Sequence, residues 1–200
     1  MKINSIHCKK CQAPLAIIGN TSRSKNLICQ YCGTVMDFKN NFKALYSFTQ
    51  VQQNSCLTID QSFDFHGTPF TIIGYISYAS GDNHFIVYNV YSPTHGYAKL
   101  IDKDNELVFY RKTHHLPDKN LWMLKQNDTF ISNKIKFTLK SFEFCELYYA
   151  AGNLLENTKQ GKRSKHAFAY CKKTKQWFYS EHSRNAVNYY VGSEFIVDKN

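Results

Sequence analysis

Two short cysteine pairs stand out near the start of the chain. Cys8 and Cys11 sit in CKKC, Cys29 and Cys32 in CQYCG, and seventeen residues separate the pairs. Two cysteines with two residues between them can turn both sulfurs toward one point. Two such turns brought together supply four thiolates. That is the ligand set of a closed, tetrahedral, structural Zn2+ site, and one zinc ion per chain is the expected cofactor. Gly33 follows the second pair and suits a left-handed turn, whereas Gln12 fills that place after the first. Lys9 and Lys10 are placed to offset the double negative charge of four thiolates around Zn2+. Two disulfides are the plain alternative. The stretch MKINSIHCKKC has no apolar signal core, however, and the total of seven cysteines is odd. A redox motif would need one such pair, not two.

These cysteines must be positioned by short strands. APLAII and KNLIC read as strands separated by the polar turn GNTSRSKN, which makes residues 1–40 a zinc ribbon. Residues 41–62 read as a linker, with FKALYSFTQVQQ open between a short helix and an extended approach. Residues 63–200 read as an antiparallel β domain. In it PFTIIGYISYA, HFIVYNVYS, YAKLID and ELVFYRK are four strands joined by the turns GDN, PTHG and KDN, a meander. Apolar groups on both faces imply a sheet that curls into a small barrel or is covered as in a sandwich. KIKFTLKSFEFCELYYAAG is too long for one straight strand and changes phase near Ser141, so a bulge is expected there. HAFAYCKK, KQWFYSEH and VNYYVGSEFIV add further strands. The fold class is therefore mainly β.

Composition agrees. Hydrophobic residues make up 43% of the 200 and aromatics 16%, which is ample for a core and weighted toward strand formers. The longest mostly apolar stretch, Leu147 to Leu155, falls far short of the roughly 20 residues needed to span a bilayer, so no membrane insertion and a cytoplasmic location are expected. The formal charge of +10 is local: seven Lys/Arg against one Asp in residues 1–43, and seven with no acid in 159–175.

That second basic stretch carries the other candidate site. Lys162, Arg163 and Lys165 would sit on a loop, Lys172, Lys173 and Lys175 at a hairpin tip, with Trp177 and its neighbouring aromatics between. Basic groups that neutralise phosphates and exposed rings that stack on bases would make a nucleic-acid surface. Strand alternation offers a plainer account: Phe168, Tyr170 and Phe178 face the core and the lysines merely solvate two turns. Cys56, Cys145 and Cys171 read as inert, the last two as buried apolar groups. His114 and His115 read as an exposed loop pair. Glu181 and His182 could serve Cys171 only if the fold placed a base on that sulfur.

The order of parts resembles a bacterial family, domain of unknown function 4178, over roughly residues 60–197. The resemblance is carried by GTPFTIIGYISY, Gly96-Tyr97, the Gly152 turn, Ser180-Glu181 and the closing Tyr190-x-Gly192-x-x-Phe-Ile. The chain departs from that family where Phe85 and Lys99 replace an aromatic–acid pair and a tryptophan. The resemblance implies the architecture and a bacterial or phage setting, and no substrate. The leading expectation is a non-catalytic interaction or scaffold protein with another protein as partner. Nucleic-acid binding through 158–179 is the alternative. An enzyme ranks last, and would need a deep pocket gathering groups such as Glu181, His182 and Tyr190.

Overall fold

Alternating side chains with no helical period leave the chain one way to bury its aromatics: strands, paired edge to edge. The computed structural model describes residues 4–19, 23–49, 57–81, 83–183 and 186–195. β1 (Asn4–His7) and β2 (Pro14–Ile17) form one antiparallel hairpin. β3 (Asn26–Ile28) and β4 (Thr34–Asp37) form a second, and β5 (Lys43–Ser47) adds to β4. β6 (Ser62–Phe65), β7 (Thr68–Ser80), β8 (Asn83–Ser92), β9 (Gly96–Lys103) and β10 (Glu106–Thr113) follow as a continuous meander. β11 (Thr129–Ser132), β12 (Ile135–Leu154), β13 (Arg163–Cys171), β14 (Gln176–Ser183) and β15 (Ala186–Glu194) complete the set. No α-helix occurs among the described residues, and so none is long and apolar enough to cross a membrane.

The order β7–β8–β9–β10–β15–β14–β13–β12, with β12 pairing back onto β7, is a closed eight-stranded antiparallel barrel. The meander expected over 68–112 is present, and the strands after 134 belong to the same body. Both expected uses of the two apolar faces are realised. The inner face packs Tyr88, Tyr110, Phe168 and Tyr179 inside the barrel. The outer face of β12, β13 and β14 carries Phe137, Ala169 and Phe178, covered by Leu121 and Phe130 from the returning segment. Phe168 and Phe178 therefore sit in different cores because strand alternation sends them to opposite faces. The expected irregularity near Ser141 is a register shift between Leu139 and Ser141.

The linker expected over 41–62 needs correction. Lys43–Ser47 is strand β5, and Ser62 already belongs to β6. Residues 50–56, including Cys56, lie outside the described residues. β5 escapes sequence reading because it is an edge strand with its first three residues exposed, so it has no apolar alternation to read. The ribbon is also less separate than its cysteine pattern implies. β3 pairs with the end of β12, Ile28 opposite Gly152 and Leu27 opposite Asn153. Alternation divides its side chains: Leu27, Cys29 and Met36 face a small ribbon core, while Ile28 and Val35 join the barrel core.

Barrel closure depends on two glycines. Gly152 pairs with both Gly74 on one edge and Ile28 on the other. A Cβ on Gly74 would lie 2.7 Å from Ala151 O and from Asn153 N. Gly152 has φ +79°, and its Cβ would fall 2.5 Å from Ile73 O. Only backbone without side chains fits this crossing. Gly74→Ala should therefore cost roughly 2–4 kcal/mol in a denaturant titration, because backbone must move. Gly81→Ala, in open space at φ +60°, should cost only about 1 kcal/mol.

Candidate metal centre

The two cysteine pairs adopt the same turn. The Cys8 N–H donates to Ala13 O and the Gln12 N–H to Cys8 O. Twenty-one positions later, the Cys29 N–H donates to Thr34 O and the Gly33 N–H to Cys29 O. Each turn ends in a left-handed residue, Gln12 at φ 62° and Gly33 at φ 67°. Gln12 accordingly does the work of a glycine despite its Cβ.

These turns bring the four sulfurs within 4.8 Å of one another. Cys8 and Cys32 are 3.6 Å apart, as are Cys11 and Cys29. A tetrahedron with metal–sulfur bonds of about 2.3 Å has edges of about 3.8 Å, so the group could hold a metal ion with little adjustment. Cys8 and Cys29 are buried, Cys32 is half-buried and Cys11 is exposed. Burial pushes the Cys29 thiol up to about 12, so its thiolate form calls for a positive centre at the site.

A hydrogen-bond chain leads from a cation to a ligand sulfur. The Lys10 ammonium, which can only donate, donates a hydrogen bond to Ser47 Oγ at 3.1 Å. Ser47 is then free to donate to Thr34 Oγ1 at 3.0 Å, and Thr34 to Cys32 Sγ at 3.1 Å. The Lys10 backbone N–H also points at Cys8 Sγ. Such outer contacts orient thiolates and spread their charge. Ser47 lies on β5, so the former linker supplies part of the site.

The basic segment is dispersed. Arg163 donates to Glu146 Oε1 at 2.9 Å, and Lys162 lies 3.6 Å from Glu156. Lys165 sits 5.5 Å over the Trp122 ring and 5.3 Å over Phe144. Lys172, Lys173 and Lys175 occupy the exposed β13–β14 turn. The length of β13, about 27 Å at its strand rise, separates the two groups. Trp177 is half-buried, its ring tilted against Tyr170 at 4.8 Å and packed against the barrel core.

Glu181 and His182 part company by alternation. Glu181 points into the barrel, where Lys99 Nζ donates to it at 2.6 Å and the Tyr78 hydroxyl at 3.3 Å. Burial opposes both charges, but each holds the other ionised: Glu181 falls to about 2 and Lys99 rises well above its ordinary range. His182 points outward, and its Nδ1 accepts the Trp122 indole N–H at 2.7 Å. Cys171 pairs with Gln176 while His182 pairs with Lys165, six rungs away along the hairpin. No nucleophile–base contact joins them. The buried Lys99–Glu181 pair had a sequence signal: Lys99 stands at an inward position of β9, between Tyr97 and Ile101. No family model, curated protein or solved structure matches this chain.

Two outcomes follow. Gln12→Gly should stabilise the ribbon by about 0.5–1 kcal/mol, read as a raised denaturation midpoint, because it removes a Cβ from a left-handed residue. His166 is fully buried between Ser164 and Tyr179, both at 2.7 Å, and burial lowers it from 6.5 to about 4. The unfolded chain therefore takes up this proton first as pH falls. Stability tied to the neutral ring is complete above about pH 6.5 and is lost progressively toward pH 4, by on the order of 3 kcal/mol. His166→Gln should flatten the stability curve across that window.

Proposed function

We propose that this protein is a non-catalytic binding or scaffold protein whose single Zn2+, held by Cys8, Cys11, Cys29 and Cys32, is structural. One observation carries the reading: four sulfurs converge on one point from two copies of the same turn. Four thiolates complete a tetrahedral shell and leave no position for water or substrate. An all-sulfur, tetrahedral ligand set suits Zn2+. The ion would fasten β1–β2 to the hairpin β3–β4, and that hairpin is built into the barrel sheet. Unpaired thiols suit a cytoplasmic location, and the resemblance noted above suits a bacterial or phage setting. Another protein is the partner that fits best, since Leu116, Met123, Ile131 and Phe144 are large apolar side chains left exposed.

Elemental analysis should return one zinc per chain. Chelation or Cys32→Ser should lower the thermal midpoint of the whole chain in one transition, because Ile28 and Val35 belong to the barrel core. A zinc-free protein of unchanged stability, or a disulfide within either pair, would overturn the reading.

Nucleic-acid binding is the second reading, supported by exposed Phe144 beside Lys165. A titration with single-stranded and duplex oligonucleotides at two salt concentrations tests it. Under the leading reading nothing binds even at low salt. Under the second, affinity falls steeply with salt and is lost when Lys162, Arg163 and Lys165 are replaced together by Ser. A loss seen only on replacing Lys172, Lys173 and Lys175 would move the surface to the hairpin tip.

A further inference from the structure

The barrel is not filled to both ends. At the end nearest the ribbon lies a cavity of about 340 Å3, in the size range of small-molecule sites. Its floor is charged: Lys99 and Glu181 are only 8% and 5% exposed. Both oxygens of Glu181 are engaged, one by Lys99 and one by the Tyr78 hydroxyl. Glu156, also on the wall, faces Lys162 at 3.6 Å. The two carboxylates of the cavity are thus each matched by a lysine.

Two cations at the rim have no such match among the described residues. Lys112 projects from β10, and Arg23 comes from the ribbon, its guanidinium 5.8 Å over the Tyr97 ring. Gly19, at the end of the ribbon's first hairpin, lies against the barrel mouth. A Cβ on Gly19 would touch the Tyr91 ring at 3.2 Å and the Tyr97 hydroxyl at 3.3 Å. Asn26 Oδ1 accepts from the Thr158 N–H at 2.8 Å, which ties down the segment carrying Glu156. The ribbon therefore forms a wall of the cavity, and it delivers a cation there.

We infer that this barrel mouth is a binding pocket for a small organic anion, a carboxylate or a phosphate ester. Arg23 and Lys112 meet the anionic group. The rings of Tyr97 and Tyr190 and the buried Asn89 line space for an organic body. The volume is about ten times a water molecule's share, more than inorganic phosphate alone would fill. Guanidinium and ammonium groups set in a recess are suited to carboxylate and phosphate, and a neighbouring low-dielectric wall strengthens the attraction. The inference goes beyond the zinc reading and does not depend on which metal, if any, the sulfurs hold.

The test uses the full chain and three probes: inorganic phosphate, citrate and adenosine monophosphate, with glucose as the neutral control. Thermal shift and calorimetric titration are read in the millimolar range and below. At least one organic anion should bind saturably and more tightly than phosphate, while glucose should give no shift. Replacing Arg23 and Lys112 together by Ser, both being exposed, should weaken binding about tenfold or more and leave the ligand-free midpoint unchanged. Replacing Lys172 and Lys173 by Ser should leave binding intact. The inference is overturned by no saturable binding of any anion, by binding that survives the Arg23/Lys112 change, or by equal loss in the Lys172/Lys173 variant. Zinc content is measured on the same samples, so failure of the metal reading and failure of the pocket are read separately.

Discussion

One strand carries the architecture. β12 runs for twenty residues, Ile135–Leu154, and takes partners on both edges. Thr138 pairs with Thr129 on one side and Tyr170 on the other; Gly152 pairs with Gly74 and with Ile28. The first half of the strand thus joins β11 to β13, and the second joins β7 to β3. A strand that changes partners midway must bend. The register shifts at Leu139/Ser141 and Leu147/Tyr149 supply the bend. The Gly74–Gly152 contact then lets two backbones approach closely enough for the barrel to close.

The same strand explains why a small metal site matters to a large sheet. About forty residues cannot bury enough apolar surface to hold themselves together. Here the ribbon has a core of its own, with Leu15, Ile17, Leu27 and Met36 around the buried cysteines, and that core is thin. Its second hairpin gains the rest of its burial by joining the barrel through β12. The exchange is mutual. Asn153, fully buried, donates its side-chain amide to Ile18 O, and Tyr46 donates to Thr158 O. Ribbon and barrel thus exchange hydrogen bonds at the seam, although Asn153 Oδ1 is buried there with no partner among the described residues.

Inside the barrel the chain accepts a charged pair that an apolar core would avoid. Lys99 and Glu181 hold each other ionised, with Tyr78, Tyr179, Tyr190 and His166 around them. Replacing such a pair with apolar residues is often neutral or stabilising, so its presence is weak evidence for stability and better evidence for a task. Its position on the floor of the cavity fits that view.

The cysteine spacing by itself determined the four-sulfur cluster, because two C-x2-C turns have few ways to point their sulfurs. Alternation and turn chemistry likewise determined a mainly β chain, the meander from Thr68 and the bulge at Ser141. These are local properties, set within a few residues of backbone. Sequence left open whether the sheet closed, and what it closed on. Pairing of β12 with β7 and with β3 joins residues far apart in the chain, and no local period encodes a partner's identity. The edge strand β5 had no apolar period at all. The basic run 158–179 looked like one surface in sequence, but the length of β13 spreads it over two ends of a strand. Conversely, Arg23, Lys112 and Glu181 looked unrelated until closure of the barrel set them around one cavity. Distance along a chain says nothing of distance across a closed sheet, and that is where the tertiary structure decided.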